Sequence, residues 1–105
     1  QVWTNIIDNA IDAMKGRGDL FIRTKDLQNQ IQTEIEDNGP GIPAETQSRI
    51  FDPFFTTKPI GKGTGLGLHI TYNIIVTRHG GDISVSSKPG KTIFTITLPH
   101  QLKRL

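Results

Sequence analysis

The segment NIIDNAIDAM, Asn5 to Met14, carries two superposed patterns, and the fold is read outward from them. Ile6, Ile7, Ala10, Ile11 and Met14 recur at spacings near 3.6, which predicts a helix laying one apolar stripe on a core. Val2 and Trp3 extend the stripe backwards, so the helix is expected from about Gln1 to Met14, ending at Gly16 and Gly18 of KGRGD. Beside the stripe, Asn5, Asn9 and Asp12 fall at i, i+4 and i+7 on one face. Asparagine is a poor helix former. Two of them on one face raise the question of what that face meets, and why it presents amides rather than carboxylates.

Downstream, LFIRT (Leu20 to Thr24) and IQTEIE (Ile31 to Glu36) alternate apolar and polar residues, with DLQNQ between them as a hairpin loop. DISVSS (Asp82 to Ser87) and TIFTITL (Thr92 to Leu98) repeat the alternation and turn at Lys88-Pro89-Gly90. A one-sided antiparallel sheet is implied. A second long helix is expected from about Gly65 to Arg78, ended by His79-Gly80-Gly81, with Leu66, Ile70 and Ile74 as its core stripe. Residues 37–67 hold four of the six prolines and more than half of the glycines, with a short helix at AETQSRI. This composition predicts a long functional loop or lid, roughly Pro43 to Lys62.

A chain of 105 residues is one domain by length, with a modest core. It has no cysteine, which excludes disulfides and thiolate metal sites and suits a reducing cytoplasm. Its net charge of +2 comes from 12 basic and 10 acidic residues spread along the chain, so no nucleic-acid footprint stands out. Only Lys103 and Arg104 are locally basic. No apolar run approaches the roughly 20 residues of a membrane span. The first helix opens without a capping residue, so the chain reads as a fragment of a longer protein, with membrane attachment of that parent left open.

Three segments carry chemistry. In DNGPGI, Asp37 to Ile42, glycines at 39 and 41 let the backbone approach a flat ligand, and the Asp37 carboxylate can accept a hydrogen bond from an exocyclic amine such as adenine N6. The same residues also make a good turn. In GKGTGLGL, glycines at 61, 63, 65 and 67 free successive N–H groups to face an anion where a helix begins, and phosphate is the natural guest. It is neither a Walker A loop nor a dinucleotide fingerprint; a flexible linker is the plainer alternative. On the first helix, the Asn9 side-chain oxygen suits a hard cation such as Mg2+, which keeps waters and phosphate oxygens as its other ligands. The metal would therefore arrive as Mg-ATP, although asparagines on a surface helix are more often capping or hydrated groups.

NIIDNAIDA, DNGPGI, FDPFFTTK and GKGTGLGL, in this order and spacing, resemble the N, G1, F and G2 boxes of the catalytic, ATP-binding domain of sensor histidine kinases, in the superfamily that includes gyrase, heat-shock chaperones and mismatch-repair ATPases. The resemblance runs from Gln1 to about Pro99. It implies an α+β fold, a two-layer α/β sandwich of the Bergerat type, with helices on one face of a mixed, mostly antiparallel sheet and ATP between the helices and a mobile lid. It implies Asn9 as the Mg2+ ligand, Asp37 as the adenine-N6 acceptor, and Gly39, Gly41 and Ile42 as the adenine pocket, completed by Thr92. Gly63, Thr64, Gly65, Leu66, Gly67 and Leu68 would form the phosphate loop and its hinge, with Phe51, Phe54 and Phe55 anchoring the lid and Lys58 and Lys62 reaching phosphate. Asn5 and Asn9 are the candidate catalytic positions.

In the ATP-hydrolysing branches, a Glu that activates water stands one turn before the metal-binding Asn; here that position is Asn5, and an amide cannot act as general base. This favours a kinase. Asp12 stands where many histidine kinases carry Lys or Arg, Pro89-Gly90-Lys91-Thr92 replaces the usual Gly-x-Gly-Thr, and the strand that usually precedes the first helix is not in the sequence. His69, His79 and His100 lie outside any acceptor-histidine context. The implied partners are ATP, a histidine-bearing dimerisation domain of the same protein and, indirectly, a response-regulator receiver domain. Nucleic acid and direct membrane contact are not expected, and the location is expected to be cytoplasmic. The alternatives are a non-catalytic nucleotide-binding regulatory module and a self-sufficient ATPase of the same superfamily.

Overall fold

Alternation in the four strand segments produces a sheet with one apolar face, and the helices cover that face. The computed structural model describes residues 2–53, 55 and 67–99. The elements run α1 (Val2–Ala13), β1 (Leu20–Asp26), β2 (Gln30–Asp37), α2 (Ala44–Gln47), α3 (Gly67–Tyr72), continued by a π-helical segment Asn73–Arg78, then β3 (Asp82–Lys88) and β4 (Lys91–Pro99). The strand order is β1-β2-β4-β3, and every neighbouring pair is antiparallel. Among the described residues the sheet is therefore antiparallel throughout, with no parallel pairing to make it mixed.

The register sorts the covered face into three rows across the sheet. Thr24, Thr33, Ile96 and Ile83 form one row, and Ile22, Ile35, Phe94 and Val85 the next. Ile35, Phe94, Ile96 and Ile83 are buried, and with Val2 and Ile6 of α1, Ile50 and Ile75 they make the core. Full burial of each such side chain stabilises the fold by roughly 1.5–3 kcal/mol. The third row, Leu20, Asp37, Thr92 and Ser87, turns polar at the end of the sheet where β2 leaves it. On the opposite, solvated face Arg23 bridges Glu34 at 3.0 Å and Glu36 at 2.7 Å.

Two helical stripes differ from expectation. On α1 the buried residues are Val2, Ile6 and Ala10, strictly four apart, whereas Trp3 and Ile11 are more than 40% exposed. Trp3 lies beside the edge strand β1, whose Ile22 is also exposed. Trp3, Ile7, Ile22, Thr24, Thr33 and Ile35 line a shallow groove of about 260 Å³ there. The helix ends as the glycines require: Gly16, at φ 76°, donates its N–H to the Ile11 carbonyl.

On the second helix the buried positions are Thr71 and Ile75, one residue beyond the expected Ile70 and Ile74, which are half-buried. Leu66 lies outside the described residues. Gly67 and Thr71 accept hydrogen bonds from Asn5 of α1, and Ile75, one turn on from Thr71, packs in the core, so the 67, 71, 75 row faces inward. The segment closes with Gly81 N–H on the Ile75 carbonyl at 2.8 Å. The AETQSRI segment is helical only over Ala44–Gln47, and Ile50 then enters the core. Phe51 packs edge-on to Phe94 and tilted to Tyr72, while Arg49 lies 4.9 Å from the centre of the Phe55 ring.

Candidate functional site

Asp37 is the last residue of β2 and faces inward in the polar row, where it is 3% exposed. Its Oδ1 accepts the Gly39 N–H at 2.9 Å. Burial pushes the Asp37 carboxyl above the ordinary carboxylate pKa, opposed by that Gly39 N–H and reinforced by the nearby negative Glu36. Its cross-strand neighbour Thr92 is equally buried, and the Thr92 hydroxyl lies 2.6 Å from Ser87 Oγ on the next strand.

The loop after Asp37 is bound to this row by a second set of hydrogen bonds. Ile42 N–H donates to Ser87 Oγ at 2.8 Å, and Gln47 Nε2 donates to the Ile42 and Ser87 carbonyls at 2.7 and 3.2 Å. Asn38 holds the start of the loop by accepting the Asp19 N–H at 2.9 Å. Gly41 sits at φ 93°, and a Cβ there would stand 2.6 Å from the Lys88 carbonyl oxygen. Only glycine admits both the conformation and the approach to the β3–β4 turn. Asp37, Gly39, Gly41, Ile42 and Thr92 are thus gathered at one end of the sheet. The Pro89-Gly90 turn, with Gly90 at φ 87°, leaves Thr92 in ordinary strand pairing with Asp37 and Ser87.

On the helical side, Asn5 Nδ2 donates to the Gly67 carbonyl at 3.1 Å and to Thr71 Oγ1 at 3.2 Å. Asn9 lies one turn further along α1, half-buried. Leu68 packs against the core beside Gly67, the first residue of α3. Phe54, Lys58, Lys62, Gly63, Thr64, Gly65 and Leu66 lie outside the described residues, as do Gln1, His100, Lys103 and Arg104. His69 contacts the Phe51 carbonyl through Nδ1 at 3.2 Å and Asn73 through Nε2 at 3.3 Å, so it braces α3 against the phenylalanine cluster. His79 is exposed at the helix end.

For a divalent cation the fit is that of a shared ion. Among the described residues the Asn9 amide makes no hydrogen bond that would occupy its oxygen, and no group of three His, Cys, Asp or Glu stands together. The Asn9 amide oxygen could therefore serve a hard cation as one neutral ligand, with phosphate oxygens supplying further ones.

Sequence reasoning missed Gln47, Ser87 and Thr71. Ser87 continues the inward alternation of Ile83 and Val85, so its direction was legible, but its partner Thr92 follows from register alone. Gln47 and Thr71 carry no local signal.

With this geometry in place, the likeness to known proteins is specific. Residues 1–102 match the family of histidine kinase-, DNA gyrase B- and HSP90-like ATPases. The sensory histidine kinase/phosphatase NtrB of Rhodobacter capsulatus is 42% identical over 118 residues, spanning 100% of this chain and 32% of that protein. The signal transduction histidine-protein kinase AtoS of Escherichia coli K12 is 48% identical over 101 residues, 94% of this chain and 16% of that protein. The nucleotide-free catalytic domain of histidine kinase ThkA superposes with a TM-score of 0.83 at 38% identity, covering 94% of this chain and 65% of that one. The chain belongs to this ATPase family, as a catalytic domain of the sensor histidine kinase type. It spans less than a third of the length of these two curated relatives. No described helix is long and apolar enough to cross a membrane.

Proposed function

We propose that this chain binds Mg-ATP and transfers the γ-phosphoryl group to a histidine on a separate dimerisation domain of the same parent protein. The observation that carries the reading is the polar end row of the sheet. Asp37 and Thr92, buried side by side, have hydrogen-bonding capacity, and Gly39 and Gly41 bring the loop backbone alongside. A buried carboxylate that accepts one bond from Gly39 retains lone pairs for an exocyclic amine, so adenine fits and guanine, with a carbonyl at that position, meets an acceptor.

Asn9 would hold Mg2+ at the phosphate end, where the ion neutralises charge on the phosphate oxygens. The glycine-rich stretch ending at Gly67, with Lys58 and Lys62, would complete the phosphate contacts. The nitrogen lone pair of the acceptor histidine forms the N–P bond as the bond from γ-phosphorus to the bridging oxygen breaks, and that electron pair leaves on ADP. The chain itself supplies positioning and charge neutralisation rather than a base. ThkA has been solved in complex with the response regulator TrrA, at a TM-score of 0.77 and 31% identity to this chain. That likeness supports a receiver domain as the next phosphoryl acceptor; a cytoplasmic site of action is inferred from the need for ATP.

The test is calorimetric titration with Mg-ATP and Mg-GTP. Binding of ATP in clear preference to GTP is expected; equal affinities would sink the adenine assignment.

A further inference from the structure

Asn5 joins α1 to the second helix by the longest-range side-chain hydrogen bonds among the described residues, 62 and 66 positions apart in sequence. Both leave from Nδ2, and both end on oxygen: the Gly67 carbonyl and the Thr71 hydroxyl. A primary amide nitrogen has two N–H donors, so this pair of bonds uses both. Thr71 is fully buried, in a row where an aliphatic side chain would pack as well, and its hydroxyl meets Asn5. The two helices are in van der Waals reach here, since a Cβ on Gly67 would stand 3.7 Å from Asn5 Cγ.

We propose that Asn5 is a positioning residue, a clasp that holds the exit of the glycine-rich segment against the face of α1 carrying Asn9. The inference rests on the nucleotide-binding reading and adds to it a division of labour. Asn5 and Asn9 are one turn apart on one face, so the clasp sets where the start of α3 stands relative to the Asn9 oxygen. The adenine end, built on Asp37, Thr92 and Ser87, is held by a separate network and does not depend on it. The clasp also gives the amide at position 5 a reason. A carboxylate there has no proton to offer the Gly67 carbonyl and would set two acceptors face to face.

The experiment compares Asn5→Ala, Asn5→Asp, Thr71→Val, Thr71→Ser and the double variant Asn5→Ala/Thr71→Val in the 105-residue chain. Mg-ATP binding is followed by calorimetry and adenosine binding by NMR titration. Loss of the two bonds should weaken Mg-ATP about tenfold for Asn5→Ala and Asn5→Asp, and several-fold for Thr71→Val, with adenosine affinity unchanged within about twofold. Thr71→Ser, which keeps the hydroxyl, should bind as the parent chain does. The double variant should be no weaker than Asn5→Ala alone, because both changes break the same contact. Equal weakening of Mg-ATP and adenosine, additive losses in the double variant, or unchanged Mg-ATP binding in all variants would overturn the clasp. Thr71→Val, isosteric with the native side chain, keeps the comparison informative if Asn5→Ala unfolds. A parent chain that binds neither ligand would overturn the nucleotide-binding reading itself, an outcome distinct from a binding parent with insensitive variants.

Discussion

Asp37 is held in a place that suits a ligand better than it suits the fold. Its carboxyl is desolvated, and its pKa is raised above the ordinary value. A raised carboxyl pKa means that the native state binds the proton more readily than the unfolded chain. Its stability contribution is therefore full below the unfolded pKa and is lost as pH rises through the native one. At neutral pH the ionised side chain weighs against the fold. Asp37→Asn should keep the Gly39 N–H contact through its own oxygen while removing that burden. The free chain is then expected to melt at the same or higher temperature at pH 7, with the advantage shrinking toward pH 4. The same substitution should weaken ATP by about 1.5–3 kcal/mol, or roughly 10- to 150-fold, because a neutral amide replaces a charged acceptor. Melting curves across pH and calorimetry check the two halves. Ser87→Ala offers a second residue-scale expectation. It strips the acceptor from Ile42 N–H and the partner from Thr92, at a cost of about 1–3 kcal/mol in unfolding free energy. Denaturant unfolding would measure it.

At the scale of elements, two glycines of the expected ligand-binding boxes behave differently. Gly41 has φ 93° and no room for a Cβ against the Lys88 carbonyl, so the DNGPG loop and the β3–β4 turn lie together only with glycine there. Gly41→Ala should therefore lose about 1–3 kcal/mol of stability, from strained backbone and forced separation of the two segments. Gly67 is helical, within α3, and a Cβ there would make only ordinary contacts with Asn5. Gly67→Ala should leave the melting temperature unchanged or raise it, since alanine favours helix over glycine by up to about 1 kcal/mol. Thermal unfolding of the two variants side by side is the check; a Gly67→Ala chain as damaged as Gly41→Ala would show that the α1–α3 packing has been misjudged.

For the whole molecule the expectation concerns chemistry rather than stability. The chain alone should bind Mg-ATP but release phosphate negligibly, because Asn5 is an amide spent on Gly67 and Thr71 and provides no base for water. Adding a cognate dimerisation domain should give slow labelling of its histidine, slow because a tethered effective concentration has been lost. Asn9→Ala should abolish that labelling while leaving the adenine end of the site intact. Radiolabelled ATP, with and without the partner domain, decides it. Brisk phosphate release by the chain alone, lost on Asn5→Ala, would overturn the kinase assignment in favour of an ATPase.

The sequence by itself determined the things that local chemistry controls. The 3.6 period of NIIDNAIDAM made a helix, alternation made four strands, and Gly16, Gly80 and Gly90 ended or turned elements where they stand at positive φ. The ordered boxes also identified the ATPase family, because a ligand constrains residue types at short spacing. Only the tertiary structure decided which side chains meet. Asp37 stands fifty or more residues before Ser87 and Thr92 and became one row with them through strand register. The core stripe of the second helix runs through Thr71 and Ile75, with Ile75 packed in the core and Thr71 hydrogen-bonded across to Asn5 on α1. Trp3 fits the same apolar period as Ile6, yet remains exposed because it lies beside β1, the edge strand of the sheet among the described residues. Periodicity states which residues prefer burial, and the finite width of the sheet and the directionality of hydrogen bonds select among them.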